Sequence, residues 1–130
     1  MRPHILVIDD SKAVRILAQQ ALASFDCTVG EATNGFTGLF AMERTFPNLL
    51  LIDVAMPTMD GVEMLTMIKS HKDLKKIPVI MLVSSTDHKL LPKIAELGVE
   101  AQIKKPFTPA VFTETVCGVL KLKTLKPKKA

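Results

Sequence analysis

Asn48-Leu49-Leu50-Leu51-Ile52-Asp53-Val54-Ala55-Met56-Pro57 is the stretch whose reading decides the fold. Four consecutive apolar residues, Leu49 to Ile52, deliver a single carboxylate to the end of the run. A segment apolar at every position suits a strand buried on both faces, as in a parallel sheet with helices on either side. Asp53 then stands at the strand's carboxyl edge, where open α/β sheets hold their sites. Taken alone, Asp53 reads more simply as the start of the turn made by Pro57, Asp60 and Gly61. The decision rests on what the rest of the chain brings to that edge.

Working outward, Ile5-Leu6-Val7-Ile8 is a β-branched apolar run that ends abruptly in Asp9 and Asp10, which predicts a first strand from Pro3 to Ile8. Ser11 is a natural N-cap, and Val14, Leu17, Ala18, Ala21 and Leu22 recur at helical spacing to about residue 24. Thr28 to Ala32 is a second, mixed strand. Asn34-Gly35 turns into a helix expected to bury Phe36, Leu39, Phe40 and Met42, closed by Pro47. After the opening stretch a third helix carries Val62, Met64, Leu65 and Ile68. Pro78 to Val83 is the fourth strand, and the caps in Ser84-Ser85-Thr86-Asp87 open a helix bearing Leu90, Leu91, Ile94 and Leu97, stopped by Gly98. Glu100 to Lys104 is a weak fifth strand, and Thr108-Pro109 starts a last helix to about Leu122.

Five strands alternating with five helices predict an α/β fold, a doubly wound five-stranded parallel sheet with right-handed crossovers. Polarity ranks the strands. The first, third and fourth are apolar almost throughout, whereas Thr28, Glu31, Glu100, Gln102 and Lys104 mark the second and fifth as edges. The order 2-1-3-4-5 satisfies this and places the chain reversal between strands one and three.

Composition bounds the function. At 130 residues, 48% hydrophobic and 23% charged, the chain is expected to form one domain with a core of its own. The apolar run near the start is too short for a signal peptide, and no run approaches the roughly eighteen apolar residues of a membrane span, so the expected location is the cytoplasm. Cys27 and Cys117 lack CxxC spacing, and His4, His71 and His88 are scattered, which argues against zinc and leaves oxygen ligands for any metal. The net charge of +4 is local: Lys121, Lys123, Lys126, Lys128 and Lys129 give the last ten residues +5, and the first 120 carry −1. The body is therefore not basic, and neither nucleic acid nor a membrane is an expected partner. Residues 1–122 are expected to form the domain and 123–130 a flexible basic tail.

With strands in that order, Asp9 and Asp10 stand beside Asp53, and Lys105 arrives at the end of strand five. Three carboxylates in one cleft repel, and a divalent oxygen-loving cation together with an ammonium keeps them ionised. Mg2+ is the natural occupant, because it binds through one or two carboxylates plus a phosphoryl group; an aspartate beside it then becomes a nucleophile toward phosphorus. Each piece has an ordinary explanation as a cap or turn. Their joint arrival at the ends of three strands does not.

These motifs, Val7-Ile8-Asp9-Asp10-Ser11 with Arg15 following, Asn34-Gly35, Asp53 with Met56-Pro57 and Asp60-Gly61, Pro78-Val79-Ile80-Met81, and Lys105-Pro106-Phe107, resemble those of the receiver domain of bacterial two-component response regulators. The resemblance runs from about His4 to Leu120 and implies the (βα)5 flavodoxin-like fold. It implies Asp53 as phosphoacceptor, Asp9 and Asp10 as the Mg2+-holding pair with the Ala55 carbonyl as a further ligand, and Lys105 as the phosphoryl-binding residue before a cis Pro106. It also implies a histidine kinase or histidine phosphotransfer protein as donor, and a downstream protein bound through the fourth helix, fifth strand and fifth helix.

Two positions depart from the family pattern. Where the family has a switch Thr or Ser stands Val83, with the hydroxyl one residue later at Ser84; neighbouring strand residues face opposite sides, so Ser84 is no simple substitute. Where it often has an aromatic ring stands Gln102. The leading expectation is a phosphorelay receiver with atypical output, either a single-domain regulator or the front of a longer protein. The alternative is a pseudo-receiver, an interaction module independent of phosphorylation. A true hydrolase is disfavoured because no candidate general acid is evident, so enzyme activity is expected only as self-phosphorylation from a donor and autodephosphorylation.

Overall fold

The computed structural model describes residues 2–125. Five strands, β1 (His4–Ile8), β2 (Thr28–Ala32), β3 (Leu49–Asp53), β4 (Val79–Val83) and β5 (Ala101–Lys104), alternate with α1 (Lys12–Leu22), α2 (Gly35–Arg44), α3 (Gly61–Ser70), α4 (Leu91–Leu97) and α5 (Pro109–Val119). The sheet is parallel throughout, in the order β2-β1-β3-β4-β5. Every residue of β3 and β4 is buried, whereas β2 and β5 each expose residues, so the apolar runs take the centre and the mixed strands the edges.

The two-residue strand period divides the core into two layers. Leu6, Ile8, Leu50, Ile52, Val79, Met81 and Val83 pack with Met42 of α2, Met64, Leu65 and Ile68 of α3 and Ile94 of α4. Ile5, Val7, Leu49, Leu51, Ile80, Leu82 and Ile103 pack on the other face with Ala18 and Leu22 of α1 and Phe112 and Val116 of α5. Cys27 is buried in that second layer and Cys117 is half-buried; both are free thiols. No helix among the described residues is long and apolar enough to cross a membrane.

Three expectations change. Phe36 and Phe40 are not buried: they are 47% and 65% exposed. The inward stripe of α2 is Gly35, Gly38 and Met42. The helix lies so close to the sheet layer that a Cβ on Gly38 would sit 2.8 Å from Met64 Cε and 3.2 Å from Ile8; small residues take the contact and the phenylalanines rotate outward. Leu90 is likewise 39% exposed, because the chain after β4 first makes a 3-10 turn over Ser85–Leu90 and only then enters α4. Residues 123–125, expected to leave as a flexible tail, bond to the body: Asp26 N–H donates to Lys123 O at 2.7 Å, Leu125 N–H to Ser24 O at 2.8 Å, and Phe25 pairs with Thr124 in an antiparallel bridge. The rest of that expected tail, 126–130, lies outside the described residues.

Candidate functional site

The register sets the acids side by side. Ile8 is paired with Ile52, so the next residues on the two strands, Asp9 and Asp53, emerge together at the carboxyl edge. Asp9 is fully buried, its N–H donating to Ala32 O at 3.0 Å and its Oδ1 accepting from Ser11 N–H at 2.8 Å. Ser11 in turn caps α1 by accepting from Val14 N–H, which ends the strand at the acid pair and turns the chain away. Asp10 is exposed. One carboxylate oxygen from each of Asp9, Asp10 and Asp53 lies within 4.8 Å of the other two.

Beyond Asp53 the chain must turn sharply into α3. Gly61 N–H donates to Val54 O at 2.8 Å, and a Cβ at Gly61 would collide with the Asp53 carbonyl oxygen and stand 2.9 Å from Val54 Cα. Only glycine permits this closure. Thr58 takes a φ of 71°, strained for a β-branched residue. Asp60 caps α3 by accepting from Glu63 N–H at 2.8 Å, with Glu63 Oε1 accepting from Asp60 N–H at 3.2 Å. The resulting loop bounds a cleft of about 440 Å³ lined by Asp10, Ala55, Met56, Pro57, Asp60 and Asp87 among others. Ala55 thus lies on the same cleft as Asp10.

Lys105 follows β5, its N–H donating to Val83 O at 2.7 Å, and a cis peptide joins it to Pro106. Its ammonium spans the acids, 2.7 Å from Asp9 Oδ2 and 2.9 Å from Asp53 Oδ1. One ammonium does not balance three carboxylates. Burial raises the Asp53 pKa from 3.8 to about 6; the hydrogen bond and charge of Lys105 oppose this, and the charges of Asp9 and Asp10 reinforce it. Burial pulls the Lys105 ammonium downward, but its bonds to Asp9 and Asp53 outweigh that and hold it above its ordinary 10.5.

The switch positions separate as strand geometry requires. Val83 is buried in the layer beneath α2, α3 and α4. Ser84 lines an apolar groove on the opposite side, formed with Ala13, Val14, Leu17, Lys105, Pro106 and Phe107. Its hydroxyl is 3.0 Å from both Asp87 Oδ2 and Thr86 Oγ1, and its N–H donates to Asp87 Oδ2 at 2.8 Å. Gln102 is exposed on β5, paired with Met81. Asp87, buried and on the rim of the acidic cleft, was visible in the sequence only as one of several caps; the S-x-x-D spacing after a strand is the signal that marks it.

The chain has recognisable relatives. The model of the response regulator receiver domain matches residues 5–117. Protein PilG of Pseudomonas aeruginosa is 36% identical over 104 residues, covering 80% of this chain and 77% of that protein. Among solved structures, the chemotaxis response regulator CheY4 of Vibrio cholerae superposes with a TM-score of 0.84 at 25% identity, covering 92% of this chain and all of that one. The Mn(2+)-bound form of response regulator Rcp1 gives 0.82 at 28% identity, over 96% and 99% of the two chains. Fold, acid cluster and sequence match together make this chain a member of the response regulator receiver domain family.

Proposed function

We propose that the protein takes a phosphoryl group onto Asp53 from the phosphohistidine of a histidine kinase or histidine phosphotransfer protein. The observation that carries this is the convergence of Asp9, Asp10 and Asp53, one carboxylate oxygen of each within 4.8 Å of the others, with the Lys105 ammonium 2.9 Å from Asp53 Oδ1. The donor set fits a hard divalent cation: all ligands are oxygens, the carboxylates outnumber the ammonium, and Asp53 ionises only against resistance. Asp9, Asp10, Asp53 and the Ala55 carbonyl would hold Mg2+, which when bound supplies positive charge beside the phosphoryl oxygens. Rcp1, a protein of this fold, takes Mn2+.

In the transfer, an Asp53 carboxylate oxygen forms the new bond to phosphorus as the phosphorus–nitrogen bond of the donor breaks, its electron pair staying on the departing imidazole. Lys105 donates to a phosphoryl oxygen as charge gathers there. The protein thereby acts as an acceptor, and hydrolysis of its own acyl phosphate returns it to the starting state. The surface of α4, β5 and α5 then addresses a downstream protein, and Leu90 and Val111, exposed apolar side chains before α4 and on α5, suit such a contact.

A second reading, an interaction module whose output ignores phosphorylation, draws support from Val83, which offers no hydroxyl, and from Ser84, whose hydroxyl is engaged by Asp87. Incubation with acetyl phosphate and Mg2+, followed by intact-mass spectrometry, tests the leading reading. The native chain should gain one phosphoryl group and Asp53→Asn none. Undiminished labelling of Asp53→Asn would refute the assignment. Absence of labelling in the native chain would favour the second reading.

A further inference from the structure

Arg15 follows the acid pair in the sequence but takes no part in the transfer just described. Its contacts are specific. Nη1 donates to the Asp9 backbone carbonyl at 2.8 Å, and Nε donates to Glu31 Oε1 at 2.8 Å. Gln19, a turn further along α1, donates to Glu31 Oε2 at 3.0 Å and to Val29 O at 3.3 Å. The Arg15 side chain is only 14% exposed and the Glu31 side chain 40%, so this bridge from α1 to the ends of β1 and β2 is sheltered from water at its Arg15 end and open to it at Glu31.

The carbonyl that Arg15 grips belongs to the Asp9–Asp10 peptide. A peptide unit is planar, so fixing its oxygen fixes the plane and the bond that leads into Asp10. Asp9 has further restraints at Ala32, Ser11 and Lys105. Asp10 makes no side-chain hydrogen bond among the described residues, and its direction depends on the peptide that carries it.

We propose that Arg15, steadied by Glu31 and Gln19, is a positioning residue that aims the Asp10 carboxylate into the cation cleft. This rests on the reading of the acid pair as a Mg2+ site. The planar guanidinium fork meets a carbonyl and a carboxylate at once; a lysine ammonium is a point charge on a flexible stem and does not reproduce the fork. The two roles open to Arg15 carry opposite signs. As a charge alone it repels a divalent cation, so its removal would tighten Mg2+ binding. As a positioning residue its removal weakens binding, by roughly the 10- to 100-fold seen when groups that orient metal ligands are lost.

The test is a Mg2+ titration of the full chain, free of phosphoryl donor, followed by amide chemical shifts at residues 9–11 and 53–56 in native protein, Arg15→Met, Arg15→Lys and Glu31→Gln. Both Arg15 variants should bind Mg2+ about tenfold more weakly, and Glu31→Gln should show a smaller loss in the same direction. Before any Mg2+ is added, hydrogen exchange at the Ser11 amide, which reports the Asp9 loop, should be faster in the Arg15 variants. Unchanged or tighter binding in Arg15→Met, or native affinity in Arg15→Lys, would overturn the positioning role while leaving the acid-pair reading intact. If Arg15→Met does not fold, Arg15→Lys and Glu31→Gln decide by the same criterion. A native chain that binds no Mg2+ would overturn the acid-pair reading, and this inference with it.

Discussion

Asp53→Asn should make the metal-free protein more stable at neutral pH, even though it removes the residue on which the proposed chemistry turns. The Asp53 pKa is raised from 3.8 to about 6, so the native state holds a proton there more tightly than the unfolded chain does. The stability linked to that proton is fully present below pH 3.8 and is lost as the pH rises through about 6. A shift of about two units corresponds to roughly 3 kcal/mol, at about 1.4 kcal/mol per unit. Asn resembles the protonated acid in shape and lacks its charge, so the variant should match native protein near pH 4 and exceed it by about 2–3 kcal/mol above pH 7. For a domain of this size that is on the order of 8 °C in Tm. The chain has no Trp or Tyr, which makes far-UV circular dichroism the probe. Urea unfolding in a chelator at several pH values between about 4 and 8 gives the difference directly. Saturating Mg2+ should shrink it, because the cation stabilises the native acid cluster in proportion to its binding. A difference that stays flat with pH, or a variant less stable at neutral pH, would show that Lys105 already balances Asp53 and would refute the reasoning.

Three further outcomes follow from the geometry. Val83→Thr places a hydroxyl on the face of β4 that packs toward α3 and α4, where a hydrogen bond to a charged group is worth about 1.5–3 kcal/mol; amide shifts over residues 86–104 should respond to phosphoryl loading more in the variant than in native protein, and an equal response would show that Ser84 already serves. Gly61→Ala forces a Cβ into the Asp53 carbonyl oxygen and should destabilise the fold by more than about 3 kcal/mol, read by urea midpoint; a native midpoint would mean that the turn has an alternative path. Ending the chain after Leu122 removes the backbone bonds at Lys123 and Leu125 and should cost about 1–2 kcal/mol relative to a chain ended after Leu125; equal Tm for the two truncations would show that the 24–26 pairing contributes nothing.

The sheet order and the acid cluster were legible in the sequence because both follow from short-range rules. Strand polarity marks Leu49–Ile52 and Val79–Val83 as central and Thr28–Ala32 as an edge, and a carboxylate just after a buried strand has only the strand's end to occupy. Adjacency of Asp9 and Asp53 came from the strand order those rules allow. Packing between elements was not legible. Phe36 and Phe40 were apolar at helical spacing, yet the close approach of α2 required Gly35 and Gly38 inside, and helical periodicity cannot say which of two neighbouring stripes turns inward. The docking of 123–125 on residues 24–26 runs through backbone bonds, which leave no trace in side-chain composition, so the lysine-rich composition of that segment does not reveal it. The bridge from Arg15 to Glu31 joins residues 16 apart across an α1–β2 contact that only the folded chain creates. Sequence alone determined which residues reach the carboxyl edge; tertiary structure decided how each is held there, because orientation depends on hydrogen bonds between segments distant in the chain.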